Sequence, residues 1–200
     1  MEEKIISLVN VLGERKEYPQ GMFDKTIVCS KEILSNYFKA DIPQELVIFS
    51  KAFGAFSFRN GIAAKGIKDN RIGHTNGWVP VNYFVSISGN TNTILHLYTD
   101  YKDQLSRKFL PFCEGTSGDL IGISLKKKEF GKIYYWFHES KVGKEYILMA
   151  NSFYEFLQTL FIEEKVGEEV EERNNEIDVN SLTDLSPQFI ELLRESGIIK

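Results

Sequence analysis

Between residues 30 and 162, apolar residues recur at helical spacing in four stretches. From Ser30, the run SKEILSNYF sets Ile33, Leu34, Tyr37 and Phe38 on one stripe behind a serine able to cap. A second helix is expected to start at Pro43, a favoured first-turn residue. It would turn Leu46, Phe49 and Phe53 to one side and stop at Gly54. In TNTILHLYTDYKDQL, Ile94, Tyr98, Tyr101 and Leu105 fall at helical intervals, with Asn90 or Thr91 as cap, and predict an amphipathic helix rather than one apolar throughout. NSFYEFLQTLF predicts a closing helix, capped by Asn151 or Ser152, with Phe153, Phe156, Leu157 and Leu160 inward.

Between these helices the pattern changes period. VNYFVSIS, residues 81–88, is β-branched and aromatic and predicts a strand. Phe109–Phe112, Leu120–Leu125, Ile133–Phe137 and Tyr146–Met149 are four short apolar runs parted by the turn signals EGTSGD, KKKEFG and HESKVGKE, which predicts an antiparallel meander. The glycine- and asparagine-rich stretch from Phe56 to Val81 predicts one short strand followed by irregular connections. These segments make a single α+β domain, with an antiparallel or mixed sheet of about five to six strands and helices mainly on one face.

After Glu163 the periodicity lapses into EEKVGEEVEERNNEID, acidic and poor in large apolar groups, expected to be a solvated helix or linker. Ser186 and Pro187 then start an amphipathic helix whose Phe189, Ile190 and Leu193 either fold back on the domain or engage something else.

Composition narrows the class. With 42% hydrophobic and 13% aromatic residues and only 5 prolines in 200, the chain is neither disordered nor fibrous and fits one domain with extensions. A net charge of −4 argues against nucleic acid or anionic membrane and mildly favours a basic partner. Cys29 and Cys113, far apart and in apolar surroundings, suggest neither a disulfide framework nor a zinc site, and so a reducing compartment. The N-terminus lacks a signal-peptide pattern and no segment is long and apolar enough to span a bilayer, which makes the cytoplasm the expected location.

Candidate chemistry is sparse. His74, His96 and His138 show no i, i+4 pairing, so a histidine metal site has no support; His96 is expected to be surface or half-buried, and His138 hydrogen-bonded. Ser117, His138 and Asp119 or Asp100 could form a hydrolytic triad, but GTSGD does not match the GxSxG elbow. Nor does this loop carry the lysine and helix of a phosphate loop. Glu114 and Asp119 could pair for acid/base work or a divalent metal, yet Asp119 is the better turn residue. The lysines of KKKEFGK are expected on a solvated hairpin tip. No catalytic, cofactor-binding or metal-binding residue is assigned.

The order of motifs carries more information than any one of them. IPQELVIFSKAFGAFSF, FVSISGNTNTILHLYTDYKDQLSRKFLPFCEGTSGDLIGISL, GKIYYWFHES and ILMANSFYEFLQTL, taken together, resemble the SUKH superfamily, the Smi/Knr-type domain named after fungal cell-wall-assembly and killer-toxin-resistance proteins. The matching positions are Pro43, Gly54, Tyr98, Pro111, Gly118, Asp119, Gly131, Trp136, His138, Glu139, Phe153, Phe156 and Leu157. The resemblance covers residues 30–162, and gives those positions a mainly structural role. Two departures stand out: Phe53-Gly54-Ala55 replaces the usual Asn-Gly, and Phe137 stands where an aspartate often precedes the histidine.

This resemblance implies a Smi/Knr-like fold and a binding module without catalytic residues or cofactors. Many bacterial members look like immunity proteins that neutralise polymorphic or contact-dependent toxins of the nuclease or deaminase class. A cognate toxin protein is then the expected partner, and a homodimer is a further allowed state. The alternatives are a regulatory scaffold that docks a host partner through its C-terminal helix, and, remotely, the serine hydrolase. The expected layout is an N-terminal extension (1–29), the SUKH domain (30–162) and an acidic linker with its helix (163–200). Exposed loops 59–77 and 89–93 and the acidic surface are expected to contribute to binding.

Overall fold

The computed structural model describes residues 1–17, 27–65, 77–141 and 143–163. The C-terminal helix expected from Ser186, the acidic stretch before it, His74 and most of loop 59–77 lie outside the described residues. Residues 1–163 form one compact unit.

The helices form where the apolar stripes place them. Ser30 caps α2 (Lys31–Phe38) by accepting the Ile33 N–H, and the helix buries Leu34 and Phe38 while Ile33 and Tyr37 stay exposed. Pro43 is the N-cap of α3 (Gln44–Phe53), so the helix starts one residue later than expected. Gly54 ends that helix at φ 66°, ψ −144°, a region open to glycine almost alone. The serine cap of α5 (Phe153–Gln158) is Ser152, which accepts the Glu155 N–H at 3.0 Å. At the start of the chain, α1 (Glu2–Asn10) buries Ile5 and Val9 and packs against α3 and α5.

Among the described residues, every pairing between strands is antiparallel, and one isolated bridge, Ser86 with Thr93, is parallel. The main sheet runs β1 (Arg15–Glu17), β2 (Phe56–Phe58), β5 (Tyr83–Phe84), β6 (Phe109–Glu114), β7 (Leu120–Ser124), β8 (Ile133–Trp136) and β9 (Tyr146–Ala150). Its last four strands are the expected meander. The sheet has seven strands because the first segment of the chain adds an edge strand, while the strand expected over residues 81–88 shrinks to Tyr83–Phe84, a short link between β2 and β6. The pairing of β6 with β7 shifts between Pro111 and Cys113, where the proline has no N–H to offer a ladder.

A second sheet, β10–β3–β4, comes from segments expected to be irregular or helical: β3 (Ile62–Lys65), β4 (Trp78–Pro80) and β10 (Leu160–Ile162). Leu160 is buried as expected, but on a strand, because the helix stops at Gln158 and the chain turns to pair with Ala64.

The core is a chain of rings. Phe49 of α3 lies 5.1 Å from Phe84 and 5.1 Å from Phe153, and Phe112 of β6 lies 5.1 Å from Phe153 and 5.5 Å from Phe156. Helices α3 and α5 are thereby laid on the middle of the main sheet; each fully buried ring contributes on the order of 2–3 kcal/mol.

The helix α4 (Ile94–Tyr101) departs from expectation. Its first five residues, Ile94 to Tyr98, are all buried, so it is apolar around much of its circumference, and its N-cap is Thr93. His96 is 2% exposed, not at the surface. Burial of this imidazole is tolerated because both nitrogens are engaged: Nδ1 lies 2.7 Å from the Thr93 hydroxyl and Nε2 accepts the Ile27 N–H at 3.2 Å.

Candidate functional site

The loop EGTSGD joins β6 to β7. Gly115 N–H donates to the Asp119 carbonyl at 2.8 Å and Asp119 N–H to the Thr116 carbonyl at 3.0 Å, closing the connection on itself. Ser117 at φ 56° and Gly118 at φ 93° take the two left-handed positions. Asn82 braces the loop from outside, its side-chain amide donating to the Gly115 carbonyl.

Asp119 points inward and is 6% exposed. Its Oδ2 accepts the Tyr135 hydroxyl at 2.5 Å, and its Oδ1 accepts the His138 backbone N–H at 3.0 Å while lying 2.6 Å from His138 Nδ1. The register explains the meeting. Leu120 pairs with Trp136, so Asp119 enters β7 beside the exit of β8, with Tyr135 and His138 within reach. Burial first, and then the Asp119 carboxylate, push the Tyr135 hydroxyl far above its ordinary range, so it stays a donor. Tyr101 is raised mainly by burial and further by Glu114, Asp100 and Asp119; a side chain added at Gly118 would meet the Tyr101 hydroxyl at 3.7 Å.

The hydrolytic triad is not assembled here. The Asp119 and His138 pair exists, but Ser117 is exposed on the crest of the turn and its hydroxyl has no hydrogen bond to His138. Glu114 and Asp119 both lie near enough to Tyr101 to raise its hydroxyl, but the Asp119 carboxylate is committed to Tyr135 and His138. Among the described residues, no group of three or more His, Cys, Asp or Glu side chains could hold a metal ion. Cys29 and Cys113 are both free and buried, and burial raises both thiols.

The remaining motif residues serve other parts of the fold. Tyr98 packs edge-on against Phe38 at 4.7 Å. Gly131 takes φ 86° in the β7–β8 turn. Trp136 is buried against Tyr101, its indole N–H without a partner, and Glu139 is exposed, 3.9 Å from His138 Nε2. Phe153, Phe156 and Leu157 form the buried side of α5. Tyr135 escaped notice in the sequence; the hairpin register was the signal that could have found it.

Loop 89–93 is only partly available to a partner, since Asn92 and Thr93 are buried. No described helix is long and apolar enough to cross a membrane.

Against known families, residues 32–159 match the model of the SMI1/KNR4 family (SUKH-1), well over half of the chain. The span begins inside α2 and ends at the residue after α5, leaving out α1, β1 and β10. Comparison with curated proteins gives no match.

Proposed function

The chain belongs to the SMI1/KNR4 family (SUKH-1), and from that premise we propose that it is an immunity protein: a non-catalytic module that binds a cognate toxin of the nuclease or deaminase class. It acts by covering the toxin's active or substrate-binding site with a surface of ordinary interface size.

The observation that carries this reading is how the family span uses its one candidate constellation. Asp119, Tyr135 and His138 are spent on tying the β6–β7 connection to β8, so the loop that looks most like a site works as scaffold. What remains is a rigid frame with a surface free to vary, which is what an inhibitor requires. Work of this kind places the protein in the cytoplasm, where a toxin would act on the cell that makes it, with the binding unit in residues 30–162 flanked by an N-terminal extension and a C-terminal element.

Co-expression with the toxin domain encoded beside it tests the proposal. The full chain should co-purify with that domain and rescue growth. A neighbouring gene without toxin features, together with no complex, would sink it. Deleting residues 163–200 separates this reading from the scaffold alternative: an immunity protein keeps its protection, whereas a scaffold that docks through its C-terminal helix loses binding.

A further inference from the structure

The net charge of −4 hides an uneven distribution. Residues 164–200 contain ten acids and four bases, which leaves 18 acids and 20 bases in residues 1–163, a net of +2. Part of that excess gathers on one face. Where α2 ends and α4 leads into β6 lies a groove of about 730 Å³ lined by Tyr37, Lys39, Tyr98, Lys102, Arg107 and Lys108, with Asp103 the single acid among its lining residues.

The groove is built rather than accidental. Lys108 Nζ donates to the Phe38 carbonyl at 2.9 Å and the Lys39 carbonyl at 3.1 Å, which pins an ammonium group against the open carbonyl end of α2. Two of its three donors are used. Lys39, Lys102 and Arg107 are exposed, and among the described residues none of them has an ion pair. Tyr37 is 52% exposed, and its ring is held edge-on by Phe38 at 5.1 Å and by Tyr98 at 5.8 Å, so a large aromatic surface is presented without freedom to collapse. Lys108 also lines a second concavity with Lys126, Tyr134 and Tyr146, which extends the aromatic character toward the β7–β8 hairpin but not the free positive charge, since Lys126 is ion-paired there with Glu129 at 3.7 Å.

Four cations grouped with a single acid, Asp103, repel one another and gain when a further anion arrives. Held tyrosines and arginine are the residues that anchor protein interfaces. A long polyanion such as nucleic acid is disfavoured by the ten acids the same chain carries in residues 164–200. We infer that this groove takes an acidic segment of a protein partner, with an aromatic or apolar side chain of that segment set against Tyr37 and its carboxylates held by Lys39, Lys102, Arg107 and Lys108. The inference rests on the reading of the chain as a protein-binding module. It revises one expectation for this face, since mild overall acidity favours a basic partner but the groove does not.

The test uses the full chain and a labelled twelve-residue peptide of alternating glutamate and tyrosine, followed by fluorescence anisotropy at low salt. The K102E/R107E double variant should weaken binding about tenfold, whereas K4E/K51E, the same change in formal charge placed elsewhere, should leave it within about twofold. Y37A should weaken the peptide while sparing the fold, checked by thermal unfolding. Equal loss in both double variants, or tighter binding of oligothymidylate than of the peptide, overturns the inference. In the toxin assay, loss of protection by K102E/R107E alone supports it, and full protection by that variant refutes it. Failure of the unaltered chain to protect counts against the immunity reading, while the peptide titration still decides the groove.

Discussion

Asp119 and His138 are joined twice: the same carboxylate oxygen accepts the His138 backbone N–H at 3.0 Å and lies 2.6 Å from its Nδ1. With Tyr135 on the other oxygen, one buried carboxylate fastens the loop before β7 to the end of β8. Removing it strands a buried hydroxyl. Asp119→Ala should lower stability by about 2–3 kcal/mol in urea unfolding. In a Tyr135→Phe background the same change should cost less, because the stranded donor is already gone. Strict additivity of the two substitutions would deny the coupling.

Ser117 offers a sharper separation of scaffold from catalyst. It sits at φ 56°, where a side chain is strained and glycine is not. Ser117→Gly should therefore stabilise the protein by up to about 1 kcal/mol, the left-handed strain relieved less the extra chain entropy that glycine loses, and leave toxin protection unchanged. A nucleophile would show the opposite pattern, with activity lost whatever the melting temperature does.

Gly122 in the middle of β7 is required for space rather than for conformation. A Cβ there would sit 2.6 Å from Phe109 Cε2 and 2.7 Å from the Leu110 carbonyl oxygen, and the second of these is backbone that cannot swing away. Gly122→Ala should cost about 1–3 kcal/mol by overpacking. Gly131 is the converse case, at φ 86° with nothing within 4 Å. Gly131→Asn should be tolerated better than Gly131→Ala, since asparagine enters the left-handed region more readily. Equal costs for those two substitutions would contradict the assignment.

Tyr135 makes stability sensitive to alkali. Its hydroxyl titrates higher in the folded protein than in the unfolded chain, where it loses its proton near the ordinary value of 10.0. Its contribution is thus complete below pH 10 and falls as the pH climbs above it, because only the unfolded chain gains by ionising. Tyr101 and Tyr146 shift in the same direction. Urea midpoints measured from pH 8 to 11 should fall above pH 10, and fall less steeply in Tyr135→Phe. Parallel curves for the two proteins would rule out this residue as a source of the effect.

The sequence made some parts of this structure plain and hid others, for physical reasons. The meander from Phe109 to Ala150 was legible because each strand is a dense apolar run closed by a turn signal, and the serine caps of α2 and α5 are local chemistry. Strands β3, β4 and β10 were not, since Ile62–Lys65, Trp78–Pro80 and Leu160–Ile162 are only three or four residues long and owe their form to partners distant in sequence. His96 read as a surface or half-buried residue because two contacts that satisfy it, Thr93 and the Ile27 N–H, come from a cap and from a segment 69 residues away. Asp119 was expected to accept backbone N–H bonds within its turn, but its carboxylate reaches Tyr135 and His138, partners set by the β7–β8 register, and the basic groove depends on α2 meeting the start of β6 through Lys108.

The most direct test of the account is the stoichiometry of neutralisation. Toxin activity is titrated with the purified full chain, at a toxin concentration well above the dissociation constant. Steric occlusion by a non-catalytic module predicts a linear loss of activity that reaches its floor at an equimolar amount and returns when the complex is dissociated. Substoichiometric, irreversible loss would mean that the chain turns over, and no loss at any ratio would mean that it is not the toxin's partner.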